Sequence, residues 1–232
     1  MGALGGYYGY MIVAGILSLV GAYVSNQLKS RFKKYSQFGL RSGMSGREVA
    51  ENMLRHYNIH DVQIVEGRGT LTDHYNPATK TVSLSPEVYR GRSVAAAAVA
   101  AHECGHAVQH DTAYSMLQMR SALVPVVSVA ARAQQWLLLG AFLLLNTMPQ
   151  LMLITIIAFG ITTLFSFITL PVEFDASRRA LVWLDQTGVA AGQEYDGAKD
   201  ALWWAAMTYV AAALSSLVML LYLILRYSAS DR

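Results

Sequence analysis

The sequence predicts a mainly α membrane protein, with about four transmembrane helices and a small α+β domain between the first two. Two observations carry that expectation. The 232 residues are 54% hydrophobic and only 14% charged, a balance outside the range of ordinary water-soluble domains. The apolar residues are also unevenly spread. They gather in runs near 7–28, 126–147, 151–170 and 202–225, each about long enough to cross a hydrocarbon core of about 30 Å. A polar stretch is left at 29–120.

Residues 1–28 read as an uncleaved anchor. No positive residue precedes the run from Tyr7 to Leu28, and Lys29, Arg31, Lys33 and Lys34 follow it at once. A secretory signal has the reverse charge order, and the positive-inside rule turns the C-terminal end of this span to the cytoplasm. Within 29–120, Ser45-Gly46-Arg47-Glu48 has capping-box spacing and should open a helix to about Tyr57. Val62 to Val65 alternates and is β-branched, so it reads as a strand. Thr81 to Leu84 reads the same way, after the turn signal Tyr75-Asn76-Pro77-Ala78, and as an edge strand it could pair with an extended substrate. Ser85-Pro86-Glu87 resembles a capped helix start.

From Trp136 to Leu170 the chain is almost continuously apolar, broken only at Asn146-Thr147-Met148-Pro149-Gln150. One helix over that run would be roughly 50 Å long, too long for the bilayer core, so 121–170 should be a hairpin. Arg132 would lie about 9 Å below the inner edge, where it snorkels or faces protein. A helical segment at 171–200 and a final span with a polar tail at 201–232 complete the chain. The tail, with Arg226 and Arg232, then falls outside, against the positive-inside rule.

The chemistry gathers at Ala101-His102-Glu103-Cys104-Gly105-His106-Ala107, in an alanine-rich, proline-free run from Ser93 to His110 that should be a helix. Four residues apart, His102 and His106 share a face and can reach one metal ion. Glu103 can reach a water there and take its proton. This is the zincin arrangement, and the bland alternative is two histidines on a helix surface. Such a site needs a third protein ligand, which Glu173 or Asp175 in Val172-Glu173-Phe174-Asp175-Ala176-Ser177-Arg178-Arg179 can supply. Both can lie on the same side of the membrane as the histidines, because a hairpin makes two crossings between His106 and Glu173.

Three stretches together resemble the YugP-type neutral zinc metallopeptidases of bacterial membranes. They are Leu71-Thr72-Asp73-His74-Tyr75, then Ala101 to Gln109, then Leu170 to Arg179. The resemblance covers nearly the whole chain. It implies a membrane-bound peptidase with one zinc ion, a zincin-like domain and a remote similarity to HtpX-type gluzincins. In those the third ligand is a glutamate on a helix after a membrane hairpin, which maps onto Glu173. They carry an aspartate four residues later; here that position is Ser177, and the acid is Asp175. Asp175 would then orient a histidine ring or be a solvated charge.

The expected function is a zinc endopeptidase acting on membrane or membrane-associated proteins, on the cytoplasmic face of a bacterial inner membrane. Cleavage inside the bilayer, suggested only by the run Ala95 to Ala101, and a non-catalytic scaffold with a structural metal are the alternatives. His74 and Tyr75 are candidates for stabilising an oxyanion, against a plain turn role. His110 lies roughly 12 Å along the helix from His102, too far to share the ion. His56 and His60 read as solvated. Arg178 and Arg179 suit lipid phosphate. The lone Cys104 reads as a packing residue. No basic–aromatic pattern points to nucleic acid, and a net charge of +3 is modest.

Overall fold

A computed structural model describes residues 3–144 and 147–230. It has seven helices and three strands among them: α1 (Ala3–Ser36), α2 (Gly46–His56), β1 (Gln63–Glu66), β2 (His74–Asn76), β3 (Thr81–Leu84), α3 (Pro86–Arg90), α4 (Val94–Asp111), α5 (Ser115–Leu143), α6 (Pro149–Gln186) and α7 (Gln193–Ser230). The chain is a mainly α membrane protein with a small α+β part. It divides into two compact units. One takes the chain up to Val24, Met119–Leu170 and the residues from Thr208; the other takes Ser25–Gln118 and Pro171–Met207. Asn146 of the expected turn and Arg232 of the tail lie outside the described residues.

Among the described residues, the first unit has helices as its only regular elements. Parts of α1, α5, α6 and α7 are long and apolar enough to cross a membrane. Their large side chains point outward: Leu19, Val129, Leu143 and Leu225 are all about seven-tenths exposed (73%, 69%, 71% and 69%). Such faces suit hydrocarbon, not water. The internal contact is small, around Ala141, Phe142, Met152 and Leu223. Some of its polar groups bond within the unit. Thr155 donates to the carbonyl of Leu151, and Gln134 Nε2 donates to Thr162 Oγ1 across α5 and α6. Arg132 is exposed, consistent with snorkelling and not with facing protein.

The second unit holds the continuous core. Ser45 and Glu48 form the capping box at the start of α2, and the amphipathic face Val49, Ala50, Met53 and Leu54 is buried against α4. On α4, Ala95 to Ala98, Ala100 and Ala101 are all buried, and their small side chains let neighbouring helices approach closely. Ser93 accepts from Ala96 N to start this helix. Cys104 is fully buried with its sulfur facing the carbonyl of Ala50, and burial pushes its thiol pKa up. It is a packing residue.

The sheet corrects one expectation. Its order is β1-β3-β2, with β1 parallel and β2 antiparallel to β3. Thr81–Leu84 is therefore the central strand, with both edges occupied, and cannot accept a substrate strand. Val82 and Leu84 are wholly buried beneath it. The edge strand β2 includes His74 and Tyr75, where the residues read only as a turn. A three-residue strand is too short to show period-two alternation.

Candidate metal centre

The last half of α4 places His102 and His106 with ring centroids 4.8 Å apart. On α6, the carboxylate of Glu173 reaches both: its Oε2 lies 3.3 Å from His102 Nε2 and 3.6 Å from His106 Nε2. One donor atom from each of the three residues falls within 4.8 Å of the others. Two imidazole nitrogens and one carboxylate oxygen form a donor set that suits zinc and not the all-oxygen preference of magnesium or calcium. Glu173 is 2% exposed, and a carboxylate so placed needs a cation or donors to offset its desolvation.

Gly105 is what lets the two helices meet. A Cβ there would lie 2.5 Å from the carbonyl oxygen of Ala176, so α6 lies backbone against α4 at this residue. Ala176 is three residues after Glu173, one turn along α6. The close approach of the helix axes thus falls beside the ligands. The sequence shows a glycine between the histidines, but nothing in it marks that glycine as a contact with α6.

The far sides of both rings are held as well. Gln109 is completely buried. Its Nε2 donates to the carbonyl of Val172 at 2.8 Å and to Asp175 Oδ2 at 3.0 Å. Those two acceptors fix the amide, so its oxygen faces His106 Nδ1 at 3.0 Å. His106 Nδ1 must then carry the proton, leaving the Nε2 lone pair for a metal. Ser177 Oγ sits 3.0 Å from His102 Nδ1 and holds that ring from behind, as a hydroxyl that can donate or accept. The position four after Glu173 thus contacts a histidine ring although it is a serine. Asp175 lies on another side of α6 from Glu173. It bonds Gln109 and both Arg178 and Arg179, and so reaches His106 only through Gln109. The sequence assigned neither Gln109 nor Ser177 a role at the rings: Gln109 is three residues from His106, but the Val172 and Asp175 acceptors that orient it are more than sixty residues away, and Ser177 is 75 residues from His102.

Charge in the site is balanced by the carboxylates. Burial disfavours a charged His106, but the neighbouring Glu173, with Glu103 adding to it, outweighs burial and raises its pKa. Glu103 itself is 8% exposed. His74 and Tyr75 are not brought to this group. His74 is exposed and bonds the Thr72 carbonyl, while the Tyr75 hydroxyl pairs with His110 Nδ1 at 2.8 Å. Burial, with Asp61 and Asp111 nearby, pushes the Tyr75 pKa up to about 12. Asp73, from the same stretch, accepts from Ser85 N and Oγ and ties the loop to the start of α3. His56 and His60 are exposed.

The fold and this cluster define a membrane protein with a helix-borne cluster able to hold a metal ion, and comparison with known proteins points to the same class. Residues 10–228 match the model of the family described as "Putative neutral zinc metallopeptidase". The chain belongs to that family. It is also 43% identical over 195 residues to "Putative membrane protease YugP" of Bacillus subtilis (strain 168), covering 84% of this chain and 86% of the relative. No solved structure matches it significantly.

Proposed function

We propose that this chain is a membrane zinc endopeptidase that hydrolyses peptide bonds of membrane or membrane-associated proteins. The observation that carries the reading is the convergence of His102, His106 and Glu173 beside Glu103. The three would hold one zinc ion, with Asp175 acting behind them. A zinc ion held there would supply Lewis acidity, the property that brings the pKa of a bound water to about 7 in such sites. Glu103, next to the first ligand on α4, takes the proton of the attacking water and delivers it to the leaving amine. Gln109 keeps the His106 imidazole in the tautomer that offers Nε2, and Ser177 positions the ring of His102. The buried surroundings limit water at the site and strengthen these interactions.

Two further features favour this reading over its rivals. The alanine run of α4 is packed in the core of the second unit, and α4 is not among the candidate spans of the described residues. That weighs against cleavage inside the bilayer. A structural zinc would normally take four protein ligands, and the group found among the described residues has three.

The test is Glu103→Gln against wild type on an unfolded membrane-protein substrate, with zinc measured in both. Hydrolysis should disappear and zinc should stay. Loss of zinc would make Glu103 a ligand and defeat the assignment. We place the site on the cytoplasmic face of a bacterial inner membrane, because Lys29, Arg31, Lys33 and Lys34 follow the first span. Two crossings, α5 and α6, would separate His106 from Glu173. Single cysteines placed at 60 and 147 should then react with an impermeant reagent from opposite sides; reaction of both from one side would refute this sidedness.

A further inference from the structure

Within the second unit, α6 and α7 enclose a groove of about 220 Å³ to which the peptidase chemistry assigns no ligand, although Ser177, which contacts His102, is part of its lining. Phe174, Leu181, Leu202 and Trp203 make its apolar surface, and Arg178 and Lys199 are its cations. Both aromatic side chains are open, Phe174 at 40% and Trp203 at 55% exposure. The cations are in excess here. Asp175 is shared between Arg178 and Arg179, so it neutralises only one of them. Arg179 is drawn inward, with a side chain 25% exposed and its guanidinium over the ring of Tyr114. Arg178, 73% exposed, is left facing outward, and Lys199 is exposed as well.

The spacing on each helix is the informative part. Phe174 comes four residues after Leu170, where the apolar run of α6 ends, and Arg178 comes four residues later still. Trp203 stands one residue inside the run that begins at Leu202, and Lys199 precedes it by four. Residues four apart share a helix face. Each helix therefore carries an aromatic residue at the edge of its apolar run and a cation one turn further out on the same face. That order matches the interface of a bilayer, where rings sit at the headgroup level and cations meet phosphate. A free anion would leave the aromatic wall uncovered, and a purely apolar ligand would leave the two cations unmatched.

We propose that this groove binds one anionic phospholipid, its phosphate on Arg178 and Lys199 and its glycerol and upper acyl carbons against Phe174 and Trp203. The site needs no metal, so its failure would leave the peptidase reading untouched. The experiment is native mass spectrometry of the full chain in detergent, titrated with dioleoylphosphatidylglycerol or dioleoylphosphatidylcholine. Wild type should retain one phosphatidylglycerol at least about ten-fold more tightly than phosphatidylcholine. A cation near a lipid surface contributes about five-fold, so Lys199→Glu, which also adds an anion, should weaken that retention about twenty-fold. Lys199→Arg should restore it to within about two-fold, which separates lost binding from lost folding. Lys33→Glu makes the same charge change beside another span and should have little effect. Equal retention of the two lipids would overturn the proposal. So would equal losses in Lys199→Glu and Lys33→Glu, or displacement of the lipid by equimolar glycerol phosphate or a short acidic peptide.

Discussion

The two units use their helices in opposite ways. In the first, large apolar side chains point outward and the interior contact is a handful of residues around Phe142 and Met152. In the second, the packed surface of α4 is built mainly from alanines with one glycine, and polar side chains are buried where they bond each other. Spans need only enough apolar length, so many sequences serve. A metal site needs donor atoms within a few tenths of an ångström of their places, so the helices that carry them must approach closely and their side chains must be locked. The contrast predicts where substitutions matter.

The largest effect should come from the carboxylate that faces the histidines. Glu173→Ala should lose metal and activity together. Asp175→Ala should keep the metal with an affinity lowered by about 10–100-fold, because it acts through Gln109. Metal content and chelator competition on the two purified variants decide this. Stoichiometric zinc in Glu173→Ala with none in Asp175→Ala would reverse the assignment.

The next effect should come from the tautomer lock. Gln109→Leu keeps the bulk but removes the acceptor from His106 Nδ1, and should weaken zinc binding by about 10–100-fold. Nitrogen NMR of the apoprotein supplies a readout that simple destabilisation would not move. It should show His106 protonated on Nδ1 in wild type and mixed in the variant. A single Nδ1-protonated form in both would mean that Gln109 does not set the tautomer.

The smallest effects give the sharpest comparison, since the same change is made in both units. Gly105→Ala places a methyl against the Ala176 backbone and should cost about 1–3 kcal/mol as overpacking. Gly160→Ala lies in the membrane part of α6, where an added Cβ meets nothing within 4 Å, and should be neutral or stabilising by up to about 1 kcal/mol. Thermal melts in one detergent compare them. Equal destabilisation would mean that close approach at Gly105 is not what distinguishes the units.

Much of this molecule is determined locally and was legible without a structure. Apolar length marks the spans, the Ser45–Glu48 capping box starts α2 as its spacing requires, and four-residue spacing puts His102 and His106 on one face. In each case the interacting groups are a few residues apart, and helix geometry alone relates them. Tertiary structure decided the rest. Helix periodicity separates Glu173 from Asp175 by about 200° but cannot say which side of α6 turns toward α4. That depends on the approach of Gly105 to Ala176, seventy-one residues apart in the chain. The same holds for Ser177 behind His102, for the Val172 and Asp175 acceptors that orient Gln109, and for β3, which the short strand β2 turned from an edge into the centre of the sheet. These contacts join groups whose separation in sequence carries no geometric information until the chain has folded.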